Sequence, residues 1–178
     1  MNNKIFFEWS NSLVISNLIL GIIFIVVFII CIRNLSFDDP FSVWGGKMIT
    51  MIIISGVTIA FLFSTPLYVS YNEEGVIIKK IIGSKKFPQS EICSLVKIDT
   101  KTIAGSTRKM GSGGIGGYIG LFYNKQLGNY YMHVTIKKDL VLLETNQKKY
   151  VFNCKIRDEL IDFAQTNYNT KCKSDLED

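Results

Sequence analysis

Gly111, Gly113 and Gly116 fall in the spacing G-x-G-x-x-G, the one arrangement in this chain that invites phosphate chemistry. In a dinucleotide-binding loop that spacing works because the loop opens a helix whose N-terminus holds pyrophosphate. Here residues 118 to 124 follow, aromatic and alternating, which predicts a strand and leaves no helix dipole to use. A kinase glycine loop needs a β3 lysine and a catalytic-loop motif, and a P-loop needs Gly-Lys-Ser/Thr; neither pattern is present. The glycines are therefore expected to serve the backbone, allowing positive φ and a tight turn into the strand. His133 is the single histidine, on the same side of its predicted strand as Tyr131 and Thr135. Cys93, Cys154 and Cys172 are scattered without zinc-ligand spacing, and no G-x-S-x-G or catalytic-cysteine signature supplies a nucleophile. Glu73 and Glu74 sit in a predicted turn, where paired carboxylates are solvated. No enzyme, metal or cofactor is expected.

Basic residues say more. Residues 75 to 157 hold thirteen Lys and two Arg against Glu91, Asp99, Asp139 and Glu144, a net of +11. The candidate ligand-binding set is Lys85, Lys86, Arg108, Lys109, Gly111, Gly113, Gly114, Lys137 and Lys138. Arg108 is suited to bidentate contact with phosphate or carboxylate, the lysines to act as screened point charges. The same lysines are equally accounted for by solubility and by orientation at a membrane.

The elements that must position these residues begin with two apolar stretches. The chain has 178 residues, 48% of them hydrophobic and 20% charged, too apolar for an ordinary soluble domain and long enough for about one domain. Residues 13 to 32 and 48 to 65 carry no charge, and each reaches about 27–30 Å as a helix, enough to span hydrocarbon. CIRNLS after the first lacks a small-x-small cleavage pattern, so it reads as an uncleaved anchor. Lys4, Lys79, Lys80, Lys85 and Lys86 flank the outer ends, against Arg33 and Lys47 in the connecting loop, which predicts both termini and the C-terminal domain in the cytoplasm. Ser16, Asn17, Gly21, Ser55 and Gly56 suit close helix contact, within one chain or between copies. The cysteines are expected as free thiols. Asn34, Leu35 and Ser36 match a glycosylation sequon, a pattern of low specificity.

From residue 67 the period changes. Short β-branched or aromatic runs cover 67–72, 76–82, 84–88, 92–98, 118–124, 130–136, 140–145 and 149–152, with connections short enough for antiparallel hairpins. Ile156, Leu160, Ile161, Phe163, Ala164 and Tyr168 then recur at helical spacing. Residues 169–178 lack apolar period and read as a flexible tail. Seven or eight antiparallel strands capped by one C-terminal helix outline a pleckstrin homology (PH) barrel. RKMGSGGIGGYIGLF (108 to 122), GNYYMHVT (128 to 135) and DLVLLETNQKKYVFN (139 to 153) resemble the bacterial PH domain family that follows a pair of membrane helices. The chain departs from it at Asn153 and Cys154, where many relatives carry Ser-Pro before the helix.

The resemblance implies a PH-like fold and a non-catalytic role; together with the apolar spans and the flanking charges, the expected organisation is a transmembrane hairpin at 1–66 and a cytoplasmic PH-like barrel at 67–168. If every connection is a hairpin, the barrel end facing the membrane carries Lys85, Lys86, Lys101, Arg108, Lys109, Lys137 and Lys138, each contributing about 1 kcal/mol near an anionic surface. The opposite end carries Glu73, Glu74 and Glu91 with Lys125, Lys148 and Lys149. The leading expectation is a membrane-anchored binding or adaptor module for a partner protein or anionic lipid headgroups. The alternative is a structural subunit of a homo-oligomeric membrane assembly or pore. With no reading helix or RNP-type motif, no nucleic-acid partner is expected.

Overall fold

The computed structural model describes residues 3–34, 36, 40–114 and 116–168. Helix α1 spans Asn11–Arg33 and helix α2 spans Phe41–Ser64, packed on each other as a hairpin. Ser10 caps α1 by accepting the Leu13 N–H at 3.2 Å, and Arg33 in the last turn suits the negative end of the helix dipole. Both helices are apolar on every face and long enough, by length and composition, to cross a membrane over Asn11–Arg33 and Phe41–Ala60. Three hydroxyls within them bond back along the helix, Ser16 to Ser12 O, Thr50 to Gly46 O and Thr58 to Ile54 O.

The β region forms two sheets. Strand β1 (Asn3–Phe6) precedes the helices yet pairs antiparallel with β2 (Pro66–Asn72), which follows them, in register from Asn3↔Tyr71 to Phe6↔Tyr68. With β3 (Gly75–Lys80) and β4 (Ser84–Pro88) they make a four-stranded sheet in the order β1-β2-β3-β4. The second sheet contains β5 (Ile92–Ile98), β6 (Thr107–Gly113), β7 (Tyr118–Asn124), β8 (Gly128–Val134), β9 (Leu140–Thr145) and β10 (Lys149–Asn153), ordered β5-β9-β10-β8-β7-β6. Helix α3 (Arg157–Asn167) follows.

The expected closed barrel of seven or eight antiparallel strands is therefore wrong in two respects. The sheets do not close: no ladder joins the edges of one to the edges of the other among the described residues. Nor is every neighbour antiparallel, since β10 lies parallel to β8 with Tyr150 opposite Tyr131. The cause is the path after β8. Asn153 Oδ1 accepts both the N–H (2.9 Å) and the hydroxyl (3.2 Å) of Thr135, and Cys154 N–H reaches Asp139 O at 2.9 Å. The Asn153–Thr135 bonds hold the end of β10 against the end of β8, while the Cys154–Asp139 bond ties it to the start of β9, so β9 lies one position outward.

Two apolar clusters fill the fold. Val69, Val76, Ile78 and Phe87 of the first sheet meet Val141, Leu143, Tyr150 and Phe152 of the second, and α3 covers them with Leu160, Ile161 and Ala164. On the other face of the second sheet Phe122, Tyr130, Met132, Leu142 and Val151 pack beneath Ile103. Strand β9 is thus buried on both faces, which accounts for its unbroken LVLL run where half-buried strands alternate. The predicted flexible tail lies outside the described residues, as do Leu35 of the sequon and Cys172. Cys31 and Cys154 are free, as expected; Cys93 is disulfide-bonded, contrary to expectation.

Candidate functional site at the helix and sheet junction

The Gly-rich segment is a hairpin, β6 turning into β7. Gly111 and Gly120 face one another across it at φ 114° and 127°. A Cβ on Gly111 would lie 2.1 Å from Ile119 O, and one on Gly120 the same distance from Met110 O, so the two backbones are closer than any side chain allows. Gly116 also has positive φ, at 71°, as the spacing suggested, whereas Gly113 does not; a Cβ there would meet only the Arg108 guanidinium at 3.2 Å. Gly114 is exposed with open space around it.

This loop is not a phosphate cradle. Gly114 N–H bonds Gly117 O at 3.1 Å, and Gly116 N–H bonds Oδ1 of Asn17 in α1, also at 3.1 Å. Two amides that would have held a phosphate are already engaged, one of them docking the loop onto the helix. The amide nitrogen of Asn17 is buried without a partner among the described residues.

Beside this contact lies a cavity of about 390 Å³, walled by Val57, Ala60, Ser64 and Thr65 on one side and by Arg108, Gly111, Ser112, Ile119 and Gly120 on the other. Arg108 is the only cation lining it, and it makes no ion pair among the described residues. Lys137 comes to the same hairpin, its ammonium 4.0 Å from the centre of the Tyr118 ring, a favourable cation–π contact. Lys138 faces Asp139 at 3.8 Å. Lys109 lies on the strand's outer side over Tyr123 at 5.2 Å, and Lys86 is exposed on β4.

Lys85 goes elsewhere. It sits over Phe87 and Tyr150 in a separate cleft of about 230 Å³ whose walls include Glu91, Asn146 and Lys148, residues expected at the opposite end of the domain. Arg108 and Gly111 are therefore gathered at the helix junction, Lys137 lies against Tyr118 at the start of β7, and Lys85, Lys86 and Lys109 are elsewhere. Asn17, Ser64 and Thr65 join the junction without having been nominated. The one signal for Asn17 was an amide side chain in an apolar helix, which suited helix contact equally well.

His133 is buried between Ile119 of β7 and Phe152 of β10, with Nδ1 lacking a partner. Burial pushes its pKa down to about 3, and the nearby Lys80 and Lys85 push the same way. Such an imidazole stays neutral and has no second base or nucleophile to work with. Burial likewise raises the Cys154 thiol to about 11, far from a reactive thiolate. Among the described residues no group of three His, Cys, Asp or Glu could hold a metal ion.

Comparison with curated proteins and with solved structures gives no match. The bacterial PH domain, a non-catalytic family, matches residues 67–166, from β2 through nearly all of α3. That region is more than half of the chain and contains the hairpin with Arg108 and the glycines, the crossing of β8, β9 and β10, and the covering helix: the chain belongs to the bacterial PH domain family.

Proposed function

We propose that the protein is a membrane-anchored binding or adaptor module, with 1–66 as a transmembrane hairpin and 67–168 as the binding domain. Its working face is the junction where Arg108 meets α2, with Lys137 on the neighbouring start of β7, opposed to anionic lipid headgroups. The observation that carries this reading is Arg108: a guanidinium without an ion pair among the described residues, beside the last turns of an apolar helix of spanning length. An unpaired cation at that position favours an anionic surface. Excess Lys at the outer ends of the helices favours the cytoplasmic side. The disulfide at Cys93 pulls the other way, because cytosolic thiols are kept reduced. Protease protection in right-side-out vesicles decides the side.

The test of headgroup recognition uses the whole chain in nanodiscs of defined lipid charge, followed by hydrogen exchange. Protection of residues 108–117 and 136–138 in anionic but not neutral discs, fading with salt, is the expected result. Equal exchange in both removes headgroup recognition and turns the search to protein partners.

A second reading, a homo-oligomeric structural subunit, draws on Gly21 and Gly56, around which a Cβ would find nothing within 4 Å. Neither glycine is used for contact within the chain, which suits close approach of another helix. Crosslinking to one stable oligomer that survives Arg108→Gln and Lys137→Gln would favour it.

A further inference from the structure

We infer that the cavity between α2 and the β6–β7 hairpin is a binding site for one anionic phospholipid, its phosphate on Arg108 and one acyl chain along α2. The inference rests on the membrane-anchored reading above and names a discrete ligand for that junction.

The helix supplies the path. Ile49, Ile53, Val57, Ala60 and Ser64 recur at spacings of four and three, so they lie on one face of α2. Ile49 is 60% exposed, Ile53 59% and Val57 45%, so the described residues leave this stripe largely open. It runs from near the start of the uncharged stretch to the cavity, where the small side chain of Ala60 leaves room and Ser64 offers a hydroxyl. The opposite wall is open because Gly111 and Gly120 can bear no side chains, and Ile119 adds an apolar surface. At about 390 Å³ the cavity falls within the ordinary range for small-molecule sites, roughly 300–1,000 Å³.

The cation sits at the far end of the apolar stripe, which is the polarity of a lipid: chain first, headgroup last. A guanidinium takes phosphate through two parallel N–H donors, a geometry a lysine cannot offer. The helices of a second copy could fill the apolar wall, yet no Asp or Glu occurs at 9–37 or at 40–64, so they bring no carboxylate to Arg108. A phospholipid satisfies both walls together.

The test is native mass spectrometry of the full chain released from nanodiscs containing phosphatidylglycerol or phosphatidylcholine. The expected result is one phosphatidylglycerol retained per chain and little phosphatidylcholine. Arg108→Gln should lower retention about tenfold, the scale of one lost charge-assisted contact. Ala60→Trp, which fills the cavity, should abolish it, and Lys125→Gln at a distant turn should leave it unchanged. Because Ala60→Trp could disturb folding, its melting curve is measured alongside, and Arg108→Gln stands as the independent variant. Equal retention of both lipids, or retention unaffected by Arg108→Gln, overturns the site. Alkaline extraction of membranes is run in parallel: a chain released to the supernatant refutes anchoring, whereas a retained chain with unselective lipid binding refutes only the lipid site.

Discussion

The backbone N–H of Gly116 donates to Oδ1 of Asn17 at 3.1 Å, joining the glycine loop of the β region to a helix 99 residues earlier in the chain. Replacing Asn17 by Leu leaves that amide without its acceptor in a part-buried setting, at a cost of about 1–3 kcal/mol. The expected signature is faster amide exchange across 113–117 in the full chain, with exchange in β9 and β10 unaltered. Identical exchange at the loop would mean the bond contributes nothing to docking.

Gly111 and Gly120 should be the least replaceable glycines. Alanine at either places a carbon 2.1 Å from a backbone oxygen at a φ that L-residues avoid, so a loss of about 3 kcal/mol or more is expected in denaturant titrations. Gly114→Ala, with open space around it, should change stability by less than about 0.5 kcal/mol. A tolerant Gly111 would indicate that the hairpin can separate.

His133 gives a pH dependence with a definite sign. Its folded pKa is depressed from 6.5 to about 3, so below pH 6.5 the unfolded chain binds a proton that the folded chain refuses. Stability contributed by the neutral imidazole is complete above pH 6.5 and drains away as pH falls toward 3. The positive charges of Lys80 and Lys85 push in the same direction as burial. His133→Met should flatten the stability profile between pH 6.5 and 4 relative to wild type; parallel profiles would show that the ring is hydrated.

Asn153 replaces the expected Ser-Pro corner with two accepted hydrogen bonds from Thr135. Asn153→Ala should cost about 1–3 kcal/mol by orphaning the buried Thr135 N–H, the hydroxyl keeping Glu8 O as its acceptor, and Asn153→Asp should recover part of it. Guanidinium midpoints of the two variants check this. If alanine matched wild type, the parallel pairing of β8 and β10 would need another cause.

How much was readable in advance followed from which residues touch which. Strands β2 to β5 and β7 to β10 announce themselves because their alternating or continuous apolar residues report burial directly, and α3 does so through Leu160, Ile161 and Ala164. Strand β6 was silent: Thr107–Gly113 is an edge strand with almost every residue exposed, so its composition of Arg, Lys, Gly and Ser matches a loop. Strand β1 was silent for a different reason, since its partner is encoded beyond two helices. The crossing of β9 past β10 depends on Asn153 reaching Thr135, which no periodicity reports. At the junction, Arg108 was legible as a chemical type; its neighbours Ala60 and Ser64 were not, because they read as ordinary helix residues.

The pairing of β1 with β2 also sets an order of assembly. Asn3–Phe6 leaves the ribosome ahead of both helices, yet its partners at Tyr68–Tyr71 emerge only after the helices have been made. During that interval the strand carries unpaired amides and carbonyls, and on the membrane-anchored reading proposed above it must still be on the same side as β2 when β2 arrives. A leading segment carried across with the first helix would lose its partner altogether. The four-residue ladder thus acts as a late latch, closing only when the two helices have been delivered as a pair.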